Sequence, residues 1–188
     1  MPDTLAKMIM KQAEHYGKRA TLREKIDGDY VDISWNDVAE KISLYARGML
    51  ASGINKGDRV AIMAPNCPEW VYADIAALSC NAISVPVYHT EGFATLRHII
   101  NDSGSRLLFL ASQLLAQEVA ENWDDFASLE TVVLLDGRLE HHGFLTLGDF
   151  INRADSASDG EAKQRLDAGQ GNDIATLVYT SGTTGTPK

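Results

Sequence analysis

The residues best suited to chemistry lie together at the end of the sequence, in Thr180-Ser-Gly-Thr-Thr-Gly-Thr-Pro-Lys188. Positions 180–186 hold five hydroxyl side chains and two glycines. Glycine allows turns that a Cβ would forbid, and it lets the backbone approach a ligand closely. Backbone N–H groups, hydroxyls and an ammonium can converge on an anion in such a turn. The pattern therefore predicts a phosphate-binding loop.

Other interpretations of this glycine-rich segment fit less well. The simplest alternative is a disordered linker at a chain end. Residues 174–179, however, indicate an apolar strand directly before this segment, and linkers seldom follow such a strand. A Walker A loop needs Gly-Lys-Ser/Thr after four intervening residues, whereas Pro187 stands five residues after Gly182. The sequence contains no Gly-x-Gly-x-x-Gly motif, so a dinucleotide fold has no support.

Tyr179–Lys188 resembles the phosphate-binding signature of the adenylate-forming superfamily, which includes acyl-CoA synthetases, adenylation domains of peptide synthetases and luciferases. Two further stretches, Asp58–Trp70 and Asn81–Thr90, are similar to the long-chain fatty acyl-CoA synthetase branch. That branch often carries Pro-Asn-x-Pro-Glu-Trp followed by a Ser-Val-Pro-x-Tyr strand. The resemblance runs from about residue 20 to the end of the sequence.

The resemblance implies an AMP-forming ligase that uses ATP to activate a fatty acid and then transfers the acyl group to coenzyme A. It implies that Thr180 contacts Mg²⁺ and that Lys188 adds positive charge near the γ-phosphate. The loop that holds the phosphates would comprise Thr180, Ser181, Gly182, Thr183, Thr184, Gly185, Thr186, Pro187 and Lys188.

The resemblance also limits what these residues can do alone. Similar enzymes place the adenine pocket, a ribose-binding aspartate and a catalytic lysine further along the chain. We therefore expect residues 1–188 to be an N-terminal subdomain cut at the phosphate-binding loop, without a catalytic residue and inactive by itself. Its partner would then be the C-terminal remainder of the same polypeptide. The alternatives are another adenylate-forming enzyme, acting on an aryl or amino acid, and a non-catalytic fragment with a binding or assembly role.

Composition sets broader bounds on the protein. A chain of 188 residues that is 45% apolar is long enough for one sizeable core. The net charge of −9 argues against general nucleic-acid binding. Cys67 and Cys80 offer neither a disulfide framework nor metal-ligand spacing, and no signal peptide or membrane span is visible. We expect a cytoplasmic location, with peripheral attachment to membranes as the alternative. The oligomeric state stays open.

The rest of the chain predicts the elements that must position the loop. Helices of about ten residues alternate with short apolar strands, which is typical of an α/β layered fold with a largely parallel sheet. Asp27-Gly28 predicts a two-residue hairpin turn near the N-terminus, with Leu22 opposite Ile33. Residues 155–173 are polar, and we expect a surface segment there with a short helix at 161–167.

Several isolated residues could also bind a ligand. His89 ends a predicted strand, where α/β folds place ligands, but a single histidine is weak support. For His141 and His142 we expect a solvated loop, because neighbouring residues in regular structure do not face the same ligand. Trp35, Trp70 and Trp123 are better explained as packing anchors.

Overall fold

The N-terminal part of the chain forms two helices and a hairpin. A computed structural model describes residues 3–180, and all structural statements below concern these residues. The first elements are α1 (Leu5–Tyr16), β1 (Ala20–Ile26), β2 (Asp29–Ser34) and α2 (Trp35–Ala51). At the hairpin turn both Asp27 (φ 51°) and Gly28 (φ 97°) have positive φ, as a type I′ turn requires. Leu22 lies opposite Ile33, so the predicted register is confirmed.

Helix α2 begins at a capping box formed by Ser34 and Asp37. The Asp37 N–H donates to Ser34 Oγ at 3.2 Å, and the Ser34 N–H donates to Asp37 Oδ2 at 3.1 Å. These bonds satisfy donors that the first turn of a helix leaves unpaired. The helix buries one apolar stripe: Val38, Ile42, Tyr45 and Met49.

A five-stranded parallel sheet forms the centre of the fold. Its spatial order is β4-β3-β5-β6-β7. The strands are β3 (Arg59–Met63), β4 (Ile83–Pro86), β5 (Ser105–Leu110), β6 (Thr131–Leu134) and β7 (Phe144–Thr146). The remaining helices are α3 (Pro68–Ser79), α4 (Phe93–Ser103), α5 (Gln113–Glu121), α6 (Leu147–Arg153) and α7 (Asp159–Ala168). The predicted α/β layered fold is therefore confirmed.

Helices cover both faces of the sheet, and each face has its own core. Side chains alternate along β3, so Val60 and Ile62 pack on one face with α1, α2, α3 and α6. Ala61 and Met63 pack on the other face with α4 and α5. Because the strands are parallel, their carboxyl ends lie at one edge of the sheet, where α/β folds bind ligands.

The first core contains a close approach between α2 and α6. Phe150 is fully buried and lies directly over Gly48, where an added Cβ would come within 2.7 Å of the ring. Tyr45 and Phe109 hold the Phe150 ring edge-to-face, with centroids 5.8 Å and 5.2 Å away. The absence of a side chain at Gly48 therefore lets the two helices meet.

Two elements depart from the sequence-based expectations. Strand β7 was not expected, because its three residues are too few to show a period. The segment at 155–173 is largely exposed, as predicted, but its helix is longer than 161–167 and buries Ala162. Ser158 caps this helix by accepting from the Glu161 N–H at 3.1 Å.

Candidate functional site

Residues 174–180 form the final segment, which leads into the predicted phosphate-binding loop. The segment runs parallel to β4 along the outer side of that strand. The Ser84 N–H donates to the Ala175 carbonyl at 3.0 Å, and the Leu177 N–H donates to the Ser84 carbonyl at 2.9 Å. These bonds make one isolated parallel bridge, between Ser84 and Thr176. The final segment thus occupies the next position in the sheet and approaches the ligand-binding edge.

The apolar run at residues 174–179 predicts a buried strand, and this prediction is wrong. Ile174 is 62% exposed and Val178 is 61% exposed. Leu177 and Tyr179, which alternate with them, pack against the second core. The segment therefore packs against the fold through the face that carries Leu177 and Tyr179. Within residues 3–180 nothing buries the apolar side chains on its opposite face. A run of apolar residues cannot reveal whether a neighbouring element covers it.

Tyr179 fixes the chain directly before the predicted loop. Its hydroxyl donates to Asp102 Oδ2, at the end of α4, with an O···O distance of 2.6 Å. Partial burial is the larger cause, and this bond to a carboxylate the second, of a rise in the pKa of Tyr179 to about 12. The hydroxyl keeps its proton at neutral pH and can therefore act as the donor to Asp102.

Thr180 is the one predicted site residue that the structure places. It is exposed and follows Tyr179. The other members of the predicted loop lie outside the described residues: Ser181, Gly182, Thr183, Thr184, Gly185, Thr186, Pro187 and Lys188.

A cavity of about 200 Å³ lies at the carboxyl ends of β3 and β4, next to the final segment. Its lining includes Asn66, Trp70, Tyr88, His89, Val178 and Tyr179. The fold thus brings His89 beside the residues that precede Thr180. Sequence reasoning missed Asn66 and Trp70 as neighbours of the site, although both follow β3, at the edge where a parallel sheet places its ligand-binding loops.

Helix α3 begins at this cavity and adds to its electrostatics. Pro68 is its first residue, and the N-cap Cys67 makes no side-chain cap bond. A helix N-terminus carries partial positive charge and favours an anion nearby. Glu69 lies in the same turn, and its carboxylate offsets part of that charge.

His141 and His142 do not form part of this site. Their ring centroids are 4.2 Å apart, and both rings pack against Trp123, at 4.8 Å and 5.4 Å. Both residues lie in the turn before β7, as the expected loop requires, and His142 is exposed, but His141 is half-buried and both rings pack on the Trp123 indole. The Gly143 N–H donates to His141 Nδ1 at 3.3 Å. Within the described part of the chain, no group of three potential metal ligands occurs.

The described helices include none that is long and apolar enough to cross a membrane. Cys67 and Cys80 are both free thiols. Cys80 is fully buried, as a small core residue should be, whereas Cys67 is half-buried.

Comparison with solved structures identifies the fold. The chain superposes on an anthranilate CoA ligase, AuaEII, with a TM-score of 0.81 and 22% identity, covering all of this chain and 34% of that one. The N-terminal domain of FACL13 from Mycobacterium tuberculosis gives a TM-score of 0.76 at 23% identity, over 97% of this chain and 42% of that one.

Curated sequences give a similar result. The chain is 32% identical over 186 residues to the long-chain-fatty-acid–CoA ligase FadD15 of Mycobacterium tuberculosis, and the alignment covers 99% of this chain and 30% of that protein. It is 30% identical over 197 residues to the peroxisomal long chain acyl-CoA synthetase 7 of Arabidopsis thaliana, and the alignment covers 98% of this chain and 28% of that protein. The chain thus spans slightly under a third of the length of these two relatives.

A family profile described as AMP-binding enzyme matches residues 9–188. The matched region includes the whole parallel sheet and the final segment that ends at Thr180. Sequence and fold therefore agree, and the chain belongs to the AMP-binding, or adenylate-forming, enzyme family.

Proposed function

We propose that residues 1–188 are the N-terminal subdomain of a ligase that activates a long-chain fatty acid with ATP and transfers it to coenzyme A. The observation that carries the proposal is the signature Thr180–Lys188, which begins where the final segment ends beside the parallel sheet. The relatives named as a long-chain-fatty-acid–CoA ligase and a long chain acyl-CoA synthetase support the choice of substrate. We expect the enzyme to work in the cytoplasm.

The proposed reaction has two steps. A carboxylate oxygen of the fatty acid attacks the α-phosphorus of ATP, the bond between the α- and β-phosphates breaks, and pyrophosphate leaves. The thiolate of coenzyme A then attacks the acyl carbon, forming a thioester and releasing AMP. The first step separates highly charged groups, so positioning and charge stabilisation at the phosphates are what the protein must supply.

In this proposal the loop holds the β- and γ-phosphates and then the leaving pyrophosphate. Backbone N–H groups and hydroxyls of residues 180–186 donate hydrogen bonds, and the Lys188 ammonium adds positive charge. Tyr179, bonded to Asp102, fixes the point from which the loop starts.

A magnesium ion fits the proposed site in its donor chemistry. Thr180 presents an exposed hydroxyl oxygen, and Mg²⁺ binds few protein oxygens because it shares its coordination with substrate phosphates and water. When bound, the ion would offset charge on the phosphates. The role of Thr180 is then to keep one oxygen donor at the start of the loop.

We further propose that the 188-residue chain alone has no ligase activity, because the family's adenine, ribose and catalytic-lysine segments lie further along such proteins. The test is a pyrophosphate-release assay with ATP, Mg²⁺ and a panel of fatty acids. We expect no release above a heat-inactivated control. Saturable release would show that the chain is a complete catalyst.

Two other functions remain to be separated from this one. AuaEII is an anthranilate CoA ligase, so an aryl acid is a reasonable competing substrate. A gene whose reading frame continues past Lys188 supports a ligase, and one that stops there favours a non-catalytic fragment. For the encoded longer protein, ATP–pyrophosphate exchange that depends on aryl acids rather than fatty acids would overturn the substrate assignment.

A further inference from the structure

The final segment leaves the sheet just before the predicted loop begins. Its last backbone hydrogen bond to β4 is the one that the Leu177 N–H donates to the Ser84 carbonyl. Beyond this bond, the Tyr179 ring packs on the second core and its hydroxyl donates to Asp102 Oδ2, with an O···O distance of 2.6 Å. In the described part of the chain, the start of the loop at Thr180 is therefore held through the Tyr179 side chain and the carboxylate that accepts from it.

The end of α4 that carries Asp102 is itself fixed to the sheet. Arg59, the first residue of β3, donates from Nε to the Ser103 carbonyl at 2.6 Å and from Nη2 to the Gly104 carbonyl at 2.7 Å. The buried hydroxyls of Ser103 and Ser105 share a hydrogen bond of 2.7 Å, which ties the helix end to β5. An acceptor at position 102 therefore has a fixed place relative to both strands.

A carboxylate at this position does not stabilise the helix that carries it. Asp102 is exposed and lies one residue before the end of α4. The C-terminal end of a helix carries partial negative charge, so an anion in the last turn is unfavourable. In the described part of the chain, the Tyr179 hydroxyl is the hydrogen-bond donor to this carboxylate. Accepting that bond, rather than ending α4, is therefore what an aspartate at position 102 supplies.

We propose that Asp102 is a positioning residue for adenylation, and that it acts through Tyr179 to hold Thr180 where the loop meets the phosphates of ATP. A hydrogen bond to a carboxylate is shorter and stronger than one between neutral groups, so it restricts the direction of the tyrosine side chain. Misplacement of a binding group by about 1 Å can slow a reaction about 10²-fold. The inference rests on the proposed function, because it takes the loop as the phosphate-binding part of an adenylating enzyme.

The first test measures the thermal stability of the 188-residue chain. Asp102→Ala removes an anion from the last turn of α4, so Tm should rise or stay within about 2 °C. Glu121→Ala is the matched control, because it removes the same charge from the exposed last residue of α5, and it should behave alike. A fall of about 4 °C or more in Asp102→Ala alone would show that this carboxylate serves stability, and would overturn the proposal.

The second test measures the two half-reactions of the full-length ligase. Asp102→Ala and Tyr179→Phe should each slow acyl-adenylate formation about tenfold, with thioester formation from supplied acyl-adenylate unchanged. Because both changes remove the same bond, the double variant should also be about tenfold slower, rather than about a hundredfold. Asp102→Asn keeps an acceptor oxygen and should be slowed less than Asp102→Ala. Glu121→Ala should match the unsubstituted enzyme.

The outcomes separate this inference from the proposed function. A loss of about a hundredfold in the double variant, or equal slowing by Asp102→Asn and Asp102→Ala, would overturn the inference. Acid-dependent ATP–pyrophosphate exchange that neither Asp102→Ala nor Tyr179→Phe slows would contradict the inference alone. In the unsubstituted enzyme, exchange that no fatty or aryl acid supports would contradict the proposed function and this inference together.

Discussion

Replacing Gly48 with alanine should destabilise the protein, although alanine is the better helix former. Helix propensity alone would favour Gly48→Ala by about 1 kcal/mol. The new Cβ, however, would lie 2.7, 2.9 and 3.0 Å from Cζ, Cε1 and Cε2 of Phe150. The ring is fully buried between Tyr45 and Phe109, so it cannot swing away.

The two effects can be compared directly. Overpacking a well-filled core costs about 1–3 kcal/mol, and three short contacts to a confined ring place this site in the upper half of that range. After the gain in helix propensity, we expect a net loss of about 1–2 kcal/mol, which lowers Tm by about 2–8 °C in a domain of this size. Thermal unfolding followed by circular dichroism measures the shift.

Gly148 provides a matched control on a helix. It lies on α6, and an added Cβ would meet only Thr146 Oγ1, at the ordinary distance of 3.7 Å. Gly148→Ala should therefore leave Tm unchanged or raise it. The double variant Gly48→Ala/Phe150→Leu should lose less stability than the two single changes together, since leucine makes room for the methyl group. Stabilisation by Gly48→Ala alone would refute the packing argument.

Two further predictions concern titratable groups. The raised pKa of Asp74 means that the folded state holds this proton more tightly than the unfolded state does, so ionisation of the group lowers the stability of the fold as pH rises above its ordinary pKa of 3.8. In urea titrations, Asp74→Asn should therefore stabilise the 188-residue chain more at about pH 7 than at about pH 4. An equal effect at both pH values would contradict the assignment. Burial raises the pKa of the Cys80 thiol to about 12 and also raises that of Cys67, which is less buried. A disulfide reagent should consequently modify Cys67 slowly in the native protein and Cys80 only after unfolding, and rapid native modification of Cys80 would show that the first core is open.

The sequence predicts local structure well where a short-range signal decides it. The hairpin register follows from Asp27 and Gly28, which can adopt positive φ, and α2 begins where Ser34 and Asp37 can cap each other. Gly104 ends α4 with φ 66°, a conformation that glycine adopts readily. In each case a few neighbouring residues determine the geometry, so the rest of the fold is not needed to infer it.

Features that depend on distant packing could not be inferred in this way. The apolar run at 174–179 suggests burial, but the exposure of Ile174 and Val178 depends on what lies beside the sheet. The contact of His141 and His142 with Trp123 depends on where the turn before β7 meets the end of α5. For the candidate site, the sequence supplies the loop chemistry, whereas the cavity beside Asn66, Trp70 and His89 follows from strand order.

The central claim is that the loop beginning at Thr180 stabilises phosphate charge during adenylation. Rapid-quench measurements on the full-length ligase should time acyl-adenylate formation and thioester formation from supplied acyl-adenylate separately, for Thr180→Ala and for Thr180→Ser, which keeps the hydroxyl. We expect Thr180→Ala to slow adenylation about 10²-fold, equivalent to about 3 kcal/mol, with little change in the second step. Thr180→Ser should stay close to the unsubstituted enzyme. Equal slowing of both steps by Thr180→Ala, or a loss of fatty-acid affinity alone, would contradict the proposed role.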